Sequence, residues 1–336
     1  MNAAPVLSTN LAVFLTLFAA FLWGTWFISV KHLGDYPMDA FYITLFATAL
    51  VFVWAIGLIV DGPGLISNMT DLIQIAPVKM WVTFACGVLY VLGMRLTLHV
   101  FATIGFSLSQ PILSSVNVLI GTLASALLGG IPAGFVPGLM LMACLLLLAA
   151  IITSFFAGRL RSAAQEKDQL RSALLFTMGD MWRALGLLTL ASLLMPAYTM
   201  GLSFGLKSIT QPVGLAVLPF MALLSAGAFS GALLGSGIIL TKRRQWHTLL
   251  KTPLSILKFG VVSGIFHFGG NIIHTFATAS LSSVISWPLG VTYTLWTLLW
   301  GMLYGEFRGA PRRSFALLAL AVLLYLAGAY LVSIQA

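Results

Sequence analysis

Charged side chains are scarce in this sequence: Asp, Glu, Lys and Arg together make up 7% of its 336 residues. A soluble domain carries about a quarter charged residues, so there are too few here to cover a water-soluble globule of this length. Cysteine is equally rare. Cys86 and Cys144 both lie inside apolar runs, which is typical of small buried hydrophobic residues and excludes a disulfide framework.

Several functional motifs are absent as well. The sequence has no Gly-x-x-x-x-Gly-Lys-Ser/Thr phosphate loop, which argues against direct use of ATP. It has neither His-Glu-x-x-His nor Cys-x-x-Cys spacing, so we expect no metal and no cofactor. No ladder of arginines indicates a voltage sensor, and no acidic side chain falls in the middle of an apolar run.

Long apolar runs fill most of the chain. Hydrophobic residues account for 60% of the sequence, and the mean hydropathy is +1.04. A helix needs about 20 apolar residues to cross the hydrocarbon core of a bilayer. Ten runs meet this length: 11–30, 40–60, 81–103, 108–128, 135–156, 184–206, 215–239, 259–278, 280–303 and 315–334. The sequence therefore predicts an all-α polytopic membrane protein with ten transmembrane helices.

The basic residues predict the orientation. Of the 17 Lys and Arg, nearly all lie in the segments after odd-numbered runs; Lys79 and Lys207 lie on the other side, and Arg95 lies within the third run. Because positive loops stay cytoplasmic, we expect both termini on the non-cytoplasmic side of the plasma (inner) membrane. This distribution explains the net charge of +9 without a nucleic-acid partner.

The runs divide into two sets of five. Residues 1–157 form the first predicted repeat, 158–183 a cytoplasmic connecting loop, and 184–336 the second repeat. Five is odd, so the halves must enter the membrane in opposite senses. His-Val-Phe-Ala-Thr at 99–103 matches His-Thr-Phe-Ala-Thr at 274–278 at the end of the third run of each half. Inverted repeats of this kind are typical of secondary transporters.

Polar residues within the apolar runs are candidates for function because each is costly in hydrocarbon. Arg95 and His99 share one helical face of the third run, and Asn271 and His274 belong to a similar polar stripe on the eighth. Such groups can bind solute or simply hydrogen-bond neighbouring helices. The glycines at 227, 231 and 235 predict a close-packing helix face instead.

Tryptophans supply the remaining solute-binding candidates. Trp23 and Trp26 on the first run suit the apolar face of a sugar or a purine-like ring, although an interfacial aromatic belt is the competing interpretation. Trp287 precedes a proline that frees a backbone carbonyl, which is useful where a helix lines a cavity. Asn117 offers donor and acceptor groups for hydroxyls or amides.

Ion coupling has few candidates. Asp39 lies at the start of the second run, and His99 and His274 can take up a proton at ordinary pH. The sequence therefore predicts H⁺ coupling through one of these three residues, with Na⁺ coupling or passive facilitation as the alternatives.

Short motifs along the chain resemble the drug/metabolite transporter superfamily, in particular the branch of glucose/ribose porters, the rhamnose–proton symporter and ureide permeases. They are Leu-Trp-Gly-Thr-Trp at 22–26, Leu-Gly-Met-Arg at 92–95, Gly-Asn at 270–271, Ile-Ser-Trp-Pro-Leu-Gly at 285–290 and Leu-Trp-Gly-Met-Leu-Tyr-Gly-Glu-Phe-Arg-Gly at 299–309. The resemblance implies ten helices as two inverted five-helix repeats, with the substrate cavity among the first four helices of each half. Branch members often have Gly-Asn where this chain has Gly93-Met94-Arg95, and a fixed charge there would suit an anionic solute.

These observations predict a secondary active transporter, not an enzyme, that takes up a small polar metabolite by alternating access. A sugar is the leading solute. The alternatives are a ureide, a nucleobase, a small organic acid, or export instead of uptake. A polytopic membrane enzyme or a channel fits less well, because neither clustered acids at one interface nor a repeated polar ring is present. The oligomeric state is not predicted.

Overall fold

Helices make up almost the whole of the protein in a computed structural model that describes residues 7–104, 106–165 and 178–336. Within these ranges there is no β-strand, and one isolated bridge joins Leu206 to Leu215. By length and composition, 8 helical segments of the described chain can cross a membrane. The predicted all-α, multi-pass architecture is confirmed at this level.

The first half contains six α-helices, three of which begin with proline, whose fixed φ suits the first helical position. They are α1 (Thr9–Trp26), which continues as a 3₁₀ helix (Phe27–His32), α2 (Met38–Val60), α3 (Pro63–Ile75), α4 (Pro77–Ile104), α5 (Phe106–Gly129) and α6 (Pro137–Gln165). Within α5, the apolar stretch Leu113–Gly129 is shorter than a full span.

The second half is more interrupted than the first. Its helices are α7 (Met178–Leu194), α8 (Ala197–Gly205), α9 (Val217–Ala232), which continues through a π-helix (Leu233–Gly237) into α10 (Ile238–Lys242), α11 (His247–Leu250), α12 (Leu254–Leu281), α13 (Ser283–Gly290), α14 (Tyr293–Leu303) and α15 (Arg312–Ser333).

Prolines break two of the runs that were predicted as continuous. Pro196 separates α7 from α8 within the sixth run, and Pro288 lies inside α13, which ends two residues later. A proline removes one helical hydrogen bond and clashes with the preceding turn. Between α12 and α13 the chain turns at Ser282, a single residue with φ of 71°. The eighth predicted helix therefore extends beyond 278, and the ninth begins after this corner.

Two further segments differ from the prediction. Residues 61–80, predicted as a connection, contain α3. Leu65 and Leu72 of this helix are buried, and its polar residues are mostly exposed. With 13 residues, this helix is too short to cross the hydrocarbon core of a bilayer. Helix α6 runs to Gln165, into the predicted connecting loop 158–183, of which residues 166–177 lie outside the described part of the chain.

The two ends of the bundle differ in charge. At the end that we call the basic end, Lys31 pairs with Glu306, and the Tyr36 hydroxyl lies 2.7 Å from Thr252 Oγ1. At the opposite end, Lys79 Nζ donates to the Phe204 carbonyl at 2.6 Å. These contacts join residues of the first half to residues of the second at both ends.

Glycines allow backbones to approach closely where α4 packs on α9 and where α12 packs on α2. A Cβ atom at Gly231 would lie 2.6 Å from the Val88 carbonyl oxygen, and one at Gly264 would lie 2.5 Å from that of Leu45. Any larger residue must push the helices apart. In lipid there is little hydrophobic driving force between helices, so close van der Waals packing at small residues stabilises such crossings instead.

We therefore expect Gly231→Ala to lower the free energy of unfolding by about 1–3 kcal/mol, the usual cost of overpacking. Gly138→Ala is the matched control, because nothing lies within 4 Å of a Cβ at that helical position. Thermal unfolding of both variants in detergent measures the difference. Equal stability of the two variants would contradict the close packing of α4 on α9.

Candidate functional site

Helix α12 carries a buried polar stripe where the two halves meet. His267, Asn271, His274 and Thr278 follow one another at intervals of three or four residues, so they share one helical face. His267 is 8% exposed, Asn271 2%, Thr278 1% and His274 0%. Because burial of a polar group is costly without a partner, the stripe depends on what α1, α4, α8 and α13 present to it.

Trp23 of α1 meets the middle of this stripe. Its indole Nε1 donates to Asn271 Oδ1 at 2.8 Å and lies 3.2 Å from the His267 carbonyl oxygen. Gly270 makes the approach possible, since a Cβ there would lie 2.7 Å from the same nitrogen. The first half is thus hydrogen-bonded to the second half inside the bundle.

His274 is held through both ring nitrogens. Nε2 lies 3.2 Å from the Ser286 carbonyl of α13, and Nδ1 lies 3.2 Å from the Tyr198 hydroxyl of α8. A carbonyl oxygen only accepts, so Nε2 carries a hydrogen toward Ser286, whereas either partner of the contact between Nδ1 and Tyr198 can donate. Both ring nitrogens are therefore engaged within the protein.

Trp287 of α13 contacts the first half from the other side. Its Nε1 donates to the Asn117 carbonyl of α5 at 3.1 Å, and Gly121 leaves room for the indole ring. The ring centroid of Trp287 lies 6.1 Å from that of Tyr198 and 6.5 Å from that of His274. The structure therefore brings Trp23, Asn271, His274, Asn117 and Trp287 into one connected cluster, the central cluster.

His267 and Trp26 extend the central cluster toward the basic end. Their ring centroids lie 5.3 Å apart, and the Tyr90 hydroxyl of α4 lies 3.5 Å from His267 Nε2. Tyr90 and Tyr198 were not predicted as site residues. The only feature of the sequence that could have indicated them is that each places a polar hydroxyl within an apolar run.

Three buried polar atoms of this cluster lack partners. Within the described residues, Asn117 Oδ1, Asn271 Nδ2 and His267 Nδ1 have no partner at ordinary hydrogen-bond geometry, and the Asn271 side chain interacts only loosely with the Tyr90 hydroxyl. The assignment for Asn271 follows from its contact with Trp23: the atom that accepts from the indole is oxygen, so the orphan is a donor. Buried polar groups are normally paired, and each exception requires an explanation.

Arg95 lies apart from the central cluster and pairs with Asp39. Arg95 Nε donates to Asp39 Oδ1 at 2.6 Å, and the side chains are 13% and 7% exposed. The pair joins α4 to α2. Since Asp39 balances the charge of Arg95, the arginine gives no reason to expect an anionic solute.

His99 lies on an exposed part of α4, whereas His274, its counterpart in the predicted repeat, is fully buried. The contacts that build the central cluster do not involve His99. The two histidines therefore occupy different environments.

A cavity of about 730 Å³ lies toward the basic end, among α1, α5, α6, α14 and α15, and its lining residues do not include those of the central cluster. Gly24, which follows Trp23 in α1, and Ser114, one turn before Asn117 in α5, are among the residues that line it. Thr294, Thr297 and Trp300 of α14 also line it. Lys31, Arg161 and Glu306 line its charged part, which we call the cavity mouth. The Lys31 and Glu306 side chains there are 39% and 38% exposed.

Glu306 joins the two cations at the cavity mouth. It pairs with Lys31, and its Oε2 accepts from Arg161 Nη1 at 2.9 Å. Burial raises the pKa of the Glu306 carboxyl, but the hydrogen bonds and charges of Lys31 and Arg161 outweigh this, so its pKa lies below the ordinary value. Glu306 is therefore ionised at neutral pH.

Comparison with known protein families and with curated proteins finds no match to this chain. The functional argument therefore depends on the geometry of the central cluster and the cavity.

The Asp39–Arg95 pair leads to a stability prediction. Arg95→Ala leaves a charged Asp39 buried without its partner, which typically costs about 3–5 kcal/mol. We expect the double variant Asp39→Asn/Arg95→Gln to recover most of this loss, because neither side chain is then charged. Thermal unfolding in detergent measures both, with Lys258→Ala, at an exposed lysine, as control. A single variant as stable as wild type would contradict the pairing.

Proposed function

We propose that this protein is a secondary transporter that takes up a small, uncharged, polar solute, with a sugar as the leading class, by alternating access. The observation that carries the proposal is the set of three unpartnered polar atoms inside the aromatic central cluster. Asn271 Nδ2 can donate, Asn117 Oδ1 can accept, and His267 Nδ1 can do either. A solute that bears several hydroxyls or amides would supply the missing partners.

The rings of the central cluster favour a solute with an apolar face. Trp23, Tyr198 and Trp287 surround His274 at centroid distances between 4.9 and 6.5 Å. Flat aromatic surfaces combined with a few convergent polar atoms are typical of small-molecule sites. With Arg95 balanced by Asp39, no uncompensated charge within the described cluster selects for an ion.

The packing at the opposite end supports alternating access. Ser203 Oγ of α8 lies 2.7 Å from Ser283 Oγ and 3.3 Å from Ser125 Oγ of the first half. The Gln211 side chain donates to the Leu128 carbonyl at 2.6 Å. The halves thus contact each other beyond the cluster at this end, where a second cavity of about 730 Å³ lies beside α3. A contact between the halves that can open and close is what alternating access requires.

The order of helix packing supports two inverted repeats, with α5 as the fourth span and α13–α14 as the ninth. If the halves are exchanged, the contact of α1 with α12 becomes that of α7–α8 with α4. The contact of α2 with α12 becomes that of α9 with α4. The pairs α2–α9, α5–α13 and α6–α15 map onto themselves, and all of these pairs are in contact.

Glycine and proline positions support the same relation. One constant interval along the chain separates Gly87 from Gly264, Gly93 from Gly270, and Pro111 from Pro288. Gly87 meets α9 as Gly264 meets α2. This interval differs from the one that relates the two histidine pentapeptides.

We also propose H⁺ coupling through Asp39. Protonation of its carboxyl would weaken the bond to Arg95 and loosen α2 from α4. His274 is a weaker candidate, since both its nitrogens have partners, and His99 lies outside the cluster. We propose that the basic end faces the cytoplasm, as the distribution of Lys and Arg suggests.

Uptake into proteoliposomes tests the central cluster. We expect Asn271→Ala and Asn117→Ala each to reduce the uptake of the transported solute by about tenfold, because each removes a group that can hydrogen-bond it. The solute is identified with a labelled panel of hexoses, deoxyhexoses, pentoses, ureides, nucleobases and small acids.

Asn68→Ala is the matched control. Asn68 Oδ1 accepts from the Ala216 backbone at the opposite end, so this variant should lose some stability but little uptake. Solute counterflow distinguishes a carrier from a channel. Normal uptake by both cluster variants would remove the central cluster from the transport path.

Ion coupling is tested with a protonophore. We expect collapse of the pH gradient to abolish accumulation above equilibrium, and we expect Asp39→Asn/Arg95→Gln to equilibrate the solute without concentrating it. Accumulation that follows a sodium gradient, or a double variant that still concentrates solute against a proton gradient, would contradict coupling through Asp39.

A further inference from the structure

The cavity mouth has more positive than negative charge. Among the residues that line the cavity, the charged ones are Lys31, Arg161 and Glu306. The single carboxylate is shared between the two cations. One positive charge is therefore left without a counter-ion in the described lining.

Arg161 is the cation with unused hydrogen-bonding capacity. Its Nη1 donates to Glu306, and its guanidinium lies 5.1 Å from the centre of the Phe307 ring, which fixes the group in place. Its Nε is buried and has no hydrogen-bond partner among the described residues. A buried guanidinium N–H without a partner is costly, and a carboxylate or phosphate oxygen is the acceptor that it matches best.

The walls of the cavity that contains this cation are largely apolar. Ile151, Phe155 and Leu298 line it together with Phe307, whose ring centre lies 5.1 Å from the Arg161 guanidinium. A volume of about 730 Å³ lies in the range of small-molecule sites, which combine apolar walls with a few placed polar groups. A hydrated inorganic anion would leave these walls unused.

We propose that the cavity mouth binds an amphiphilic anion, with its carboxylate or phosphate at Arg161 and Lys31 and its apolar body between Phe155 and Leu298. This site is separate from the central cluster and does not depend on the proposed transport function. Glu306 acts as an internal competitor, since it occupies the cations that the ligand would use. The ligand can come from the membrane, as a single-chain lipid, or from water, as an aromatic acid.

Binding to protein in phosphatidylcholine nanodiscs tests the proposal with two pairs of probes. Dodecyl phosphate and dodecanol, followed by native mass spectrometry, represent the membrane source. 2-Naphthoate and 2-naphthamide, followed by calorimetry, represent the aqueous source. We expect at least one anion to bind with one-to-one stoichiometry, about tenfold or more tightly than its uncharged partner.

Three variants separate a binding role from a structural one. Arg161→Gln should weaken the binding of the anion by about tenfold. Glu306→Gln should strengthen it, because the competing carboxylate is lost. Arg159→Gln removes the same charge from an exposed position on the same helix and should leave affinity unchanged.

The outcomes are distinct. The arm in which an anion binds identifies the source of the ligand. Failure of both anions to bind wild type would overturn the proposal, as would equal binding of the uncharged probes. Weaker binding by Glu306→Gln would also overturn it, since that result indicates that the ion pairs only maintain the shape of the mouth.

Discussion

The hydrogen bond from Trp23 to Asn271 satisfies the constraint on which the interior of this protein depends. Inside a membrane no bulk water can pair with a buried polar group, so every such group needs a partner from the protein or a ligand. Trp23 belongs to the first half and Asn271 to the second. Their bond, together with that from Trp287 to the Asn117 carbonyl, joins the two halves inside the bundle.

The same constraint explains the contrast between His274 and His267. His274 uses both nitrogens in contacts with Ser286 and Tyr198, so it orients its neighbours. His267 is nearly as buried, yet its Nδ1 has no partner among the described residues. One histidine of the stripe is hydrogen-bonded through both ring nitrogens, whereas the other keeps an unpartnered nitrogen among the described residues, although both occupy the same helical face.

Sequence alone predicts the parts of this protein that depend on hydropathy and period. The membrane helices follow from apolar runs, and the α12 stripe follows from the spacing of His267, Asn271 and His274. The ion pair of Asp39 with Arg95 could not be predicted, because it joins two helices whose relative rotation depends on packing. Helix α3 is too short, and Tyr90 and Tyr198 too similar to ordinary core aromatics, to be distinguished without coordinates.

The π-helix at Leu233–Gly237 has a consequence for the end of the seventh run. A π-turn contains one residue more than the matching α-turn, and each residue of an α-helix turns the chain by about 100°. Everything after Gly237 is therefore rotated relative to α9, and this rotation directs Leu240 against Ala40 and Ile43 of α2. Deletion of one residue from this segment would rotate Leu240 away from α2 and bring a different side chain into contact with α2. The packing of α10 on α2 therefore depends on the length of the segment more than on its composition.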